Sequence, residues 1–487
     1  MPPPRAAALL TRPLRRAARA LDGALGAADR LSGGRVPVRA RDLARAARSP
    51  LKALRGALGG ALGGALGGGR EGDALHEGER ATLRRAWLEG LEVAQKRYDH
   101  TPEARAALAA ELRAHELLGE RAWKLPLLDL HADGFSTPLL PRAAQLDYAA
   151  ARLSPHERRA VAAEALSAAL DLYAAGLAHR DLHGGNLYWH EARLLLADFE
   201  ASCPQPSPPP PFARSYDLTG EGLPSPHATG NMCYSAHNAR ALGELLGVPL
   251  SEALDALADL LRRELVAECS SFMRTREDFG ARAARHAADH GLAYCSIELP
   301  ALLIPPSAAQ RDSARRFARY GLGPGSLAGK RVLDLGCNVG AMSFGAHLRG
   351  AAEVRGVEYD AGKVEVARRV AAFAGVAFAE GAGVRFEQGD VDALTPERVG
   401  GPAEVVFCFA IEAHVRDPQR LYRLLGELTT ELLCFEGNAG CDVEFVELRL
   451  RAAGFSHIER LGPSDDEQNP ANNTRPMLKA WRAAPAP

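Results

Sequence analysis

From Lys330 onward, the chain alternates short apolar runs with stretches of helical periodicity. Four of the apolar runs predict strands, at 331–335, 353–358, 403–410 and 432–435. Strands joined by helical crossovers lie parallel in one sheet, with the helices packed on its two faces. The second half of the chain is therefore expected to be an α/β domain.

The first half has a different order of elements. Short strands, a helix, more strands and a long helix at 155–175 are followed by mainly helical sequence. The length of 487 residues also exceeds what one hydrophobic core usually serves. We therefore predict a low-complexity arm at 1–72, an α+β domain at 73–290 and an α/β domain at 291–487.

Composition favours a globular protein. Hydrophobic residues make up 47% of the chain and charged residues 24%, which is an ordinary balance for folded domains. No run approaches the roughly 18 apolar residues that span a bilayer, and the N-terminus lacks the apolar block of a signal peptide, so we expect a cytoplasmic protein. The eight cysteines form no Cys-x-x-Cys pair, which argues against a zinc site or a disulfide framework.

Residues 1–72 are basic and rich in glycine and alanine. They contain 14 Lys and Arg but four Asp and Glu, although the whole chain has a net charge of −1. Leu14, Leu21 and Leu25 share one helical face, which suits peripheral contact with the anionic inner face of a membrane. The other interpretation is a disordered basic tail that ends in a flexible linker. The acidic remainder of the chain gives no sign of nucleic-acid binding.

Two motifs in the first half carry the groups that phosphoryl transfer needs. His-Arg-Asp-Leu-His-Gly-Gly-Asn stands at 179–186, and Asp-Phe-Glu follows at 198–200. The spacing matches the catalytic and metal-binding loops of the kinase fold. Asp181 is the candidate catalytic residue, because a carboxylate there accepts the proton of the incoming hydroxyl. Asn186 and Asp198 are the candidate ligands of the Mg²⁺ that neutralises ATP.

A lysine and a glutamate upstream complete this predicted site. Lys96 ends the apolar run Val-Ala-Gln-Lys and matches the lysine that holds the nucleotide phosphates. Glu111, 15 residues later in a helical stretch, is its expected partner, and Glu116 is the second choice. Gly78 is in register for the phosphate-covering loop, but its acidic neighbours would lie near the phosphates.

These motifs resemble those of small-molecule kinases of the aminoglycoside, choline and lipopolysaccharide kinase type. The resemblance implies a protein-kinase-like bilobal fold, ATP and Mg²⁺ as ligands, and a sugar, lipid or metabolite hydroxyl as acceptor. A protein substrate is less favoured because no Ala-Pro-Glu follows the second motif. The alternative is a pseudokinase, which keeps the fold as a scaffold.

A glycine turn in the second half predicts a cofactor site. The sequence Val-Leu-Asp-Leu-Gly-Cys-Asn-Val-Gly at 332–340 is an apolar strand followed by a turn that opens a helix. Gly336 and Gly340 let the backbone approach a cofactor closely, and Asn338 tolerates positive φ better than most residues. Together with Asp334, these positions resemble the first motif of class I S-adenosylmethionine-dependent methyltransferases.

The second of two acidic residues distinguishes this family from the nicotinamide-binding Rossmann domains. Glu358 ends the second strand and suits ribose binding in either family. Asp390 follows the third strand, at the position where methyltransferases hold the adenine amino group. The resemblance therefore implies a Rossmann-like class I methyltransferase domain with S-adenosylmethionine as its cofactor.

Residues beyond the fourth and fifth strands are candidates for binding the acceptor. His414 is the candidate catalytic base or substrate contact, and a structural histidine is the equally weighted alternative. Glu436 is a weaker candidate. Arg311 and Arg316 lie in a segment that either covers the site and holds an anionic acceptor or forms a solvated helix face.

The two halves together resemble, in domain content alone, the bacterial enzymes that end O-antigen polysaccharides by phosphorylating the terminal sugar and methylating the phosphate. In those enzymes the methyltransferase comes first and a coiled coil follows, unlike here. The leading hypothesis is sequential phosphorylation and methylation of one glycan, lipid-linked or small-molecule acceptor in cell-envelope or natural-product biosynthesis. Two alternatives stay open: a methyltransferase with a kinase-like scaffold, and a membrane adaptor that acts through the basic arm.

Overall fold

A computed structural model describes residues 73–205, 209–219, 239–270, 291–377 and 383–483. The basic arm predicted at 1–72 lies outside these ranges. The chain forms two compact units. Among the described residues, the first contains 73–99 together with Pro126–Leu139, and the second contains His100–Leu125 and those from Leu140 onward.

The first unit is an antiparallel sheet of five strands in the order β1-β2-β3-β5-β4. The strands are β1 (Ala74–Glu77), β2 (Ala81–Leu88), β3 (Leu91–Tyr98), β4 (Asp129–His131) and β5 (Gly134–Pro138). Glu89 and Gly90 connect β2 to β3, with φ of 52° and 84°. Positive φ at both positions gives the two-residue turn whose twist matches the flanking strands.

The second unit begins with helices and short hairpins. Its helices up to residue 270 are α1 (Pro102–Leu118), α2 (Leu146–Ala149), α3 (Pro155–Ala174), α4 (Tyr216–Thr219), α5 (Ala239–Leu246) and α6 (Leu250–Ser270). Strand β6 (Leu177–Ala178) pairs with β9 (Cys203–Pro204), and β7 (Leu187–His190) pairs with β8 (Arg193–Leu196). The long helix predicted at 155–175 is confirmed.

Local sequence explains where α3 begins. Ser154 and Glu157 form a capping box, in which each side chain accepts a hydrogen bond from the backbone N–H of the other. This arrangement satisfies two of the N–H groups that a helix start leaves without partners. Pro155 then occupies the first helical position, where a missing N–H costs nothing.

The second unit ends in a seven-stranded sheet in the order β16-β15-β14-β17-β18-β20-β19. The strands are β14 (Arg331–Leu335), β15 (Glu353–Glu358), β16 (Gly383–Gln388), β17 (Ala403–Phe409), β18 (Thr429–Glu436), β19 (His457–Pro463) and β20 (Pro476–Trp481). The first five strands are parallel, and β20 runs antiparallel to both of its neighbours. The parallel sheet predicted for this half is therefore confirmed.

Helices and short strands surround this sheet. The helices are α7 (Ser313–Arg319), α8 (Ala341–Leu348), α9 (Ala361–Phe373), α10 (Pro418–Leu428) and α11 (Val443–Ala452). The short strands that precede the sheet are β10 (Ala293–Cys295), β11 (Ile297–Leu299), β12 (Leu302–Ile304) and β13 (Ala309–Arg311). None of the helices among the described residues is long and apolar enough to cross a membrane.

The core of the second unit runs across the boundary predicted at 290. Leu170 of α3 and Leu261 of α6 belong to the same buried cluster as Val364 and Val370 of α9. The cluster excludes water from both halves at once, so the helices before residue 270 and the sheet after residue 330 stabilise each other. The division at 290 stays a prediction.

Candidate functional site

The glycine turn after β14 has the backbone conformation that its sequence predicts. Gly336, Asn338 and Gly340 have φ of 71°, 53° and 86°. A Cβ atom at Gly336 would lie 2.4 Å from the Ile411 side chain, and one at Gly340 would lie 2.4 Å from Phe386. Glycine is therefore needed at both positions for conformation and for space.

Glu358 is the group that fixes this turn at the carboxyl edge of the sheet. One of its oxygens accepts a hydrogen bond from the Asn338 backbone N–H at 2.9 Å, and the other accepts from the Asp360 N–H at 3.0 Å. A carboxylate oxygen has two acceptor sites, so each oxygen can also accept a ribose hydroxyl. A carboxylate whose oxygens can each accept a further hydrogen bond fits the ribose-binding role predicted for Glu358.

Asp334 lies below the turn rather than on its surface. The side chain is 1% exposed, and its Oδ2 accepts a hydrogen bond from Ser343 Oγ at 2.7 Å. Burial raises the pKa of Asp334 to about 7, and the hydrogen bond from Ser343 opposes that shift. Asp334 thus joins the start of α8 to β14, and it would act on the cofactor only by holding the glycine turn in position.

The turns after β16 and β17 are tied to each other. Asp390 accepts from the Asp392 N–H at 3.0 Å and so begins a short helical turn. Asp392 in turn accepts from the Arg416 N–H at 2.9 Å. Because β15 and β16 are neighbouring parallel strands, Asp390 and Glu358 follow strand ends at the same edge of the sheet.

The turn after β17 carries His414. The backbone at Ala410 has φ of 53°, and its N–H donates to the Glu436 carbonyl at 2.6 Å. Glu412 accepts a hydrogen bond from the Asn438 N–H, and burial raises the pKa of Glu412. His414 is half-buried. The bonds of Ala410 and Glu412 attach its turn to residues at and just beyond the end of β18.

A buried ionic cluster lies beyond the end of β18. Arg311 and Arg316 are 1% and 2% exposed, and Glu436 is fully buried. Asp466 pairs with Arg311 at 3.0 Å and with Arg316 at 2.8 Å, and Arg475 pairs with Glu436 at 3.2 Å. The interpretation of Arg311 and Arg316 as a solvated face is therefore wrong, because acidic residues distant in sequence enclose them.

The His-Arg-Asp loop forms a braced turn in the second unit. Asn186 Nδ2 donates to the Asp181 carbonyl at 3.0 Å and to Asp181 Oδ2 at 2.9 Å. The Asn186 amide nitrogen is thus bonded within the loop, and the Asn186 amide oxygen is the atom suited to binding a cation. The Ala197 N–H donates to the Asn186 carbonyl at 3.0 Å, which brings the second motif against the first.

Asp217 fixes the backbone of the loop at 179–186, and no sequence pattern predicted this role. Its two oxygens accept from the His179 N–H at 3.0 Å and from the Arg180 N–H at 2.7 Å. Arg180 has φ of 70°, a conformation that a non-glycine residue keeps only when its surroundings impose it. No local pattern marks Asp217, because it acts on residues 37 and 38 positions earlier in the chain.

Phe199 anchors the second motif. The ring is fully buried and its centroid lies 5.1 Å from that of His115 and 5.2 Å from that of His179. The preceding Asp198 has φ of 65°. Because the phenyl ring points into the core, the backbone at Asp198 is fixed in this unusual conformation.

His183 is a second residue that sequence reasoning missed. Its Nδ1 accepts from the Gly185 N–H at 3.1 Å, so its proton lies on Nε2, which is 3.6 Å from Asp181 Oδ2. Burial alone would lower the pKa of His183, but the carboxylates of Asp181, Asp147 and Asp198 raise it above its usual value. His183 thus places its Nε2–H beside the carboxylate of the candidate base.

Lys96 and Glu111 belong to different compact units, so their pairing stays a prediction. Lys96 lies on β3, as predicted, with its Nζ 5.0 Å from the centroid of the Tyr98 ring. Glu111 is buried on α1, 3.4 Å from the His115 ring. In the part of the chain that the structure describes, no three His, Cys, Asp or Glu side chains group to hold a metal ion.

The second half is similar in sequence to methyltransferases. A family model described as a methyltransferase domain matches residues 326–436. A ubiquinone biosynthesis O-methyltransferase of Neisseria meningitidis is 36% identical over 106 residues, which are 22% of this chain and 42% of that protein. A ribosomal protein L11 methyltransferase of Deinococcus radiodurans is 36% identical over 113 residues, or 22% and 39%. The chain spans less than half the length of these curated relatives.

Solved structures give weaker matches. An S-adenosylmethionine-dependent methyltransferase from Mesorhizobium loti aligns with a TM-score of 0.28 at 17% identity, over 37% of this chain and 100% of the other. The N-terminal domain of EvdMO1 with SAH bound aligns with a TM-score of 0.27 at 18% identity, over 35% and 79%.

The glycine turn, the strand order and the family match together identify residues 326–436 as a class I S-adenosylmethionine-dependent methyltransferase domain. The chain is accordingly a mixed α/β protein with a Rossmann-like methyltransferase domain. In this protein the domain is part of a larger compact unit that begins at His100.

Proposed function

We propose that the second half transfers the methyl group of S-adenosylmethionine to an oxygen atom of a small-molecule or glycan acceptor. The observation that carries this proposal is the Glu358 carboxylate, which two backbone N–H groups hold beside the glycine turn. Oxygen as the acceptor atom is supported by the relatives that are named O-methyltransferases.

The cofactor supplies an electrophilic methyl group on a sulfonium, and the chain supplies alignment. Holding two reactants in line accounts for as much as about 7–11 kcal/mol of a barrier. Because the turn after β14, Glu358 and Asp390 would hold the cofactor, the acceptor belongs above the ends of β17 and β18. His414, on the turn after β17, would take the proton of the acceptor hydroxyl.

The test combines binding with transfer. Calorimetry measures S-adenosylmethionine affinity, and a methyl-labelled cofactor measures transfer to phenols, sugars and sugar phosphates. His414→Gln should keep the affinity and slow transfer by about 10²–10⁴-fold, the usual range for a general base. The matched control is His457→Gln, on the exposed β19. A wild-type chain without affinity for the cofactor would refute the proposal.

A second candidate function is phosphoryl transfer from magnesium-ATP to an acceptor hydroxyl. It is favoured by the loop in which Asn186 is bonded to Asp181 and Asp217 braces the backbone. In this proposal Asn186 and Asp198 hold Mg²⁺, Asp181 accepts the hydroxyl proton, and Lys96 with Glu111 holds the phosphates. The methyltransferase then acts on the same glycan or lipid-linked acceptor, in cell-envelope or natural-product biosynthesis.

The competing proposal keeps the first half as a scaffold without phosphoryl transfer. The two sequence relatives described above are both named methyltransferases, which favours this alternative. Titrating magnesium-ATP into the wild type and into Asp198→Ala distinguishes the two, with Glu191→Ala as a control on an exposed hairpin. Metal-dependent binding that Asp198→Ala abolishes supports a phosphotransferase, whereas absent ATP binding beside intact S-adenosylmethionine binding supports the scaffold.

The basic arm is proposed to bring the chain to an anionic membrane surface. Deleting residues 1–72 should abolish sedimentation with vesicles that contain anionic lipid and should leave S-adenosylmethionine affinity unchanged. Equal sedimentation of the shortened chain would contradict this role.

A further inference from the structure

Helix α9 of the methyltransferase domain is covered on two sides. It contacts strands β15 and β16, and it also contacts helices α3 and α6 from the first half of the chain. Gly362, Glu365, Arg369 and Phe373 recur every three or four residues, so they share one helical face. Each of these four residues lies against the first half.

Arg369 is the centre of this contact. Its Nε lies 2.8 Å from Asp171 Oδ1, its Nη1 lies 2.5 Å from Glu264 Oε2, and its Nη2 donates to Ser167 Oγ at 2.5 Å. Trp123 Nε1 donates to the other oxygen of Asp171 at 2.6 Å. The Arg369 side chain is 11% exposed, and a charge so buried is tolerated only when paired.

Further contacts continue along the same face. Glu365 pairs with Arg121 at 2.7 Å, and the Phe373 ring lies 6.3 Å from that of Phe212. Near the start of the helix, a Cβ atom at Gly362 would lie 2.8 Å from a carboxylate oxygen of Glu268. A larger residue at position 362 would therefore have to displace the Glu268 carboxylate of α6.

The start of α9 is continuous with the cofactor site. Asp360 caps the helix by accepting from the Gly362 and Lys363 N–H groups, at 2.9 and 3.3 Å. The Asp360 N–H donates to Glu358, whose other oxygen holds Asn338 in the glycine turn. A displacement of α9 thus moves the carboxylate that is expected to bind the ribose.

We propose that α3 and α6 are a permanent docking partner of the methyltransferase sheet, and that Arg369 positions α9, and through it Glu358, for S-adenosylmethionine. Charge complementarity and the continuous apolar core identify this chain's own first half as the partner. The inference rests on the cofactor binding at Glu358. It gives the first half a role in methyl transfer that is independent of phosphoryl transfer.

The experiment compares two arginines of α9 in the full chain. Arg369→Met removes the contact with the first half, whereas Arg368→Met removes an equal charge from an exposed side chain that bonds the Phe386 carbonyl. We expect Arg369→Met to weaken S-adenosylmethionine binding about tenfold, within the usual range for a coupling residue, and Arg368→Met to leave it unchanged. Equal affinity in the two variants would overturn the proposal.

A second measurement covers the case in which Arg369→Met does not fold. In the wild type, S-adenosylmethionine should slow hydrogen exchange in α3 as well as in the methyltransferase domain, because coupling between sites is reciprocal. Protection confined to residues after 326 would overturn the proposal. A wild type that does not bind the cofactor at all would instead refute the proposed methyltransferase function.

Discussion

Replacing Glu358 by glutamine separates the charge of this side chain from its shape. In the wild type, its two carboxylate oxygens each accept one backbone N–H, from Asn338 and from Asp360. A glutamine amide has a single oxygen, so whichever way the amide turns, one N–H faces an NH₂ group instead of an acceptor. Either the Asn338 N–H, which ties the glycine turn to Glu358, or the Asp360 N–H, which precedes α9, therefore loses its acceptor.

The expected loss of cofactor affinity follows from those bonds. A hydrogen bond to a charged group contributes about 1.5–3 kcal/mol, and each 1.4 kcal/mol is about a tenfold change in a dissociation constant. Losing one such bond to Glu358, and the negative charge that ribose hydroxyls would meet, should raise the Kd for S-adenosylmethionine by about 10–100-fold.

Isothermal titration calorimetry with the wild type, Glu358→Gln and Glu387→Gln is the assay. Glu387 lies on the neighbouring strand β16, opposite Val357, and pairs with Arg355 at 3.5 Å. It does not contact the glycine turn, so its substitution should leave the Kd unchanged. Circular dichroism of each variant establishes that the fold is retained.

The result that refutes the reasoning is a folded Glu358→Gln protein with wild-type affinity. The cofactor would then bind without help from the end of β15, and the ribose would lie elsewhere. An equal loss in Glu387→Gln would also refute it, because the effect would come from the net charge of the domain.

Three further predictions concern stability. Burial raises the pKa of Asp334 from 3.8 to about 7, so between these pH values the folded state keeps a proton that the unfolded state loses. The free energy of unfolding of the wild type should therefore fall relative to that of Asp334→Asn as pH rises across this interval. Urea denaturation measures this difference, which should not change further at higher pH. Gly345→Ala places a Cβ atom 2.2 Å from the Phe317 ring and should cost about 1–3 kcal/mol in the same assay; no loss would show that the ring moves aside. Glu436→Gln removes the charge of one of the two buried carboxylates that pair with Arg316 and should cost about 3–5 kcal/mol; a thermal unfolding midpoint equal to that of wild type would contradict this.

Local patterns were sufficient for most of the fold. The alternation of apolar runs after Lys330 predicted bounds for four of the five parallel strands up to β18, because a buried parallel strand requires a continuous apolar run whatever its neighbours are. The order Ser-Pro-His-Glu at 154–157 likewise marks the start of α3. The pairing of β20 with β18 joins two segments that are distant in the sequence, so no local pattern predicts it.

The conformation of the glycine turn was predictable to a similar degree. Gly336, Asn338 and Gly340 have the positive φ expected of them, because glycine spacing is a local pattern. That these residues and Glu358 bind the cofactor stays a prediction. The placement of Asp334 beneath the turn was not predictable, because the same aspartate satisfies the motif whether it faces the cofactor or the core.

The sequence by itself determined the class of the second half and the conformation of its glycine turn, since apolar runs and glycine spacing are local patterns of the chain. Only the tertiary structure decided that Arg311 and Arg316 are buried, that Asp217 braces the loop at 179–186, and that Arg369 joins α9 to α3. Each of these charges lies in the interior because partners from other segments surround it. Such compensation arises only when the chain is folded, because residues remote in sequence supply the opposite charge.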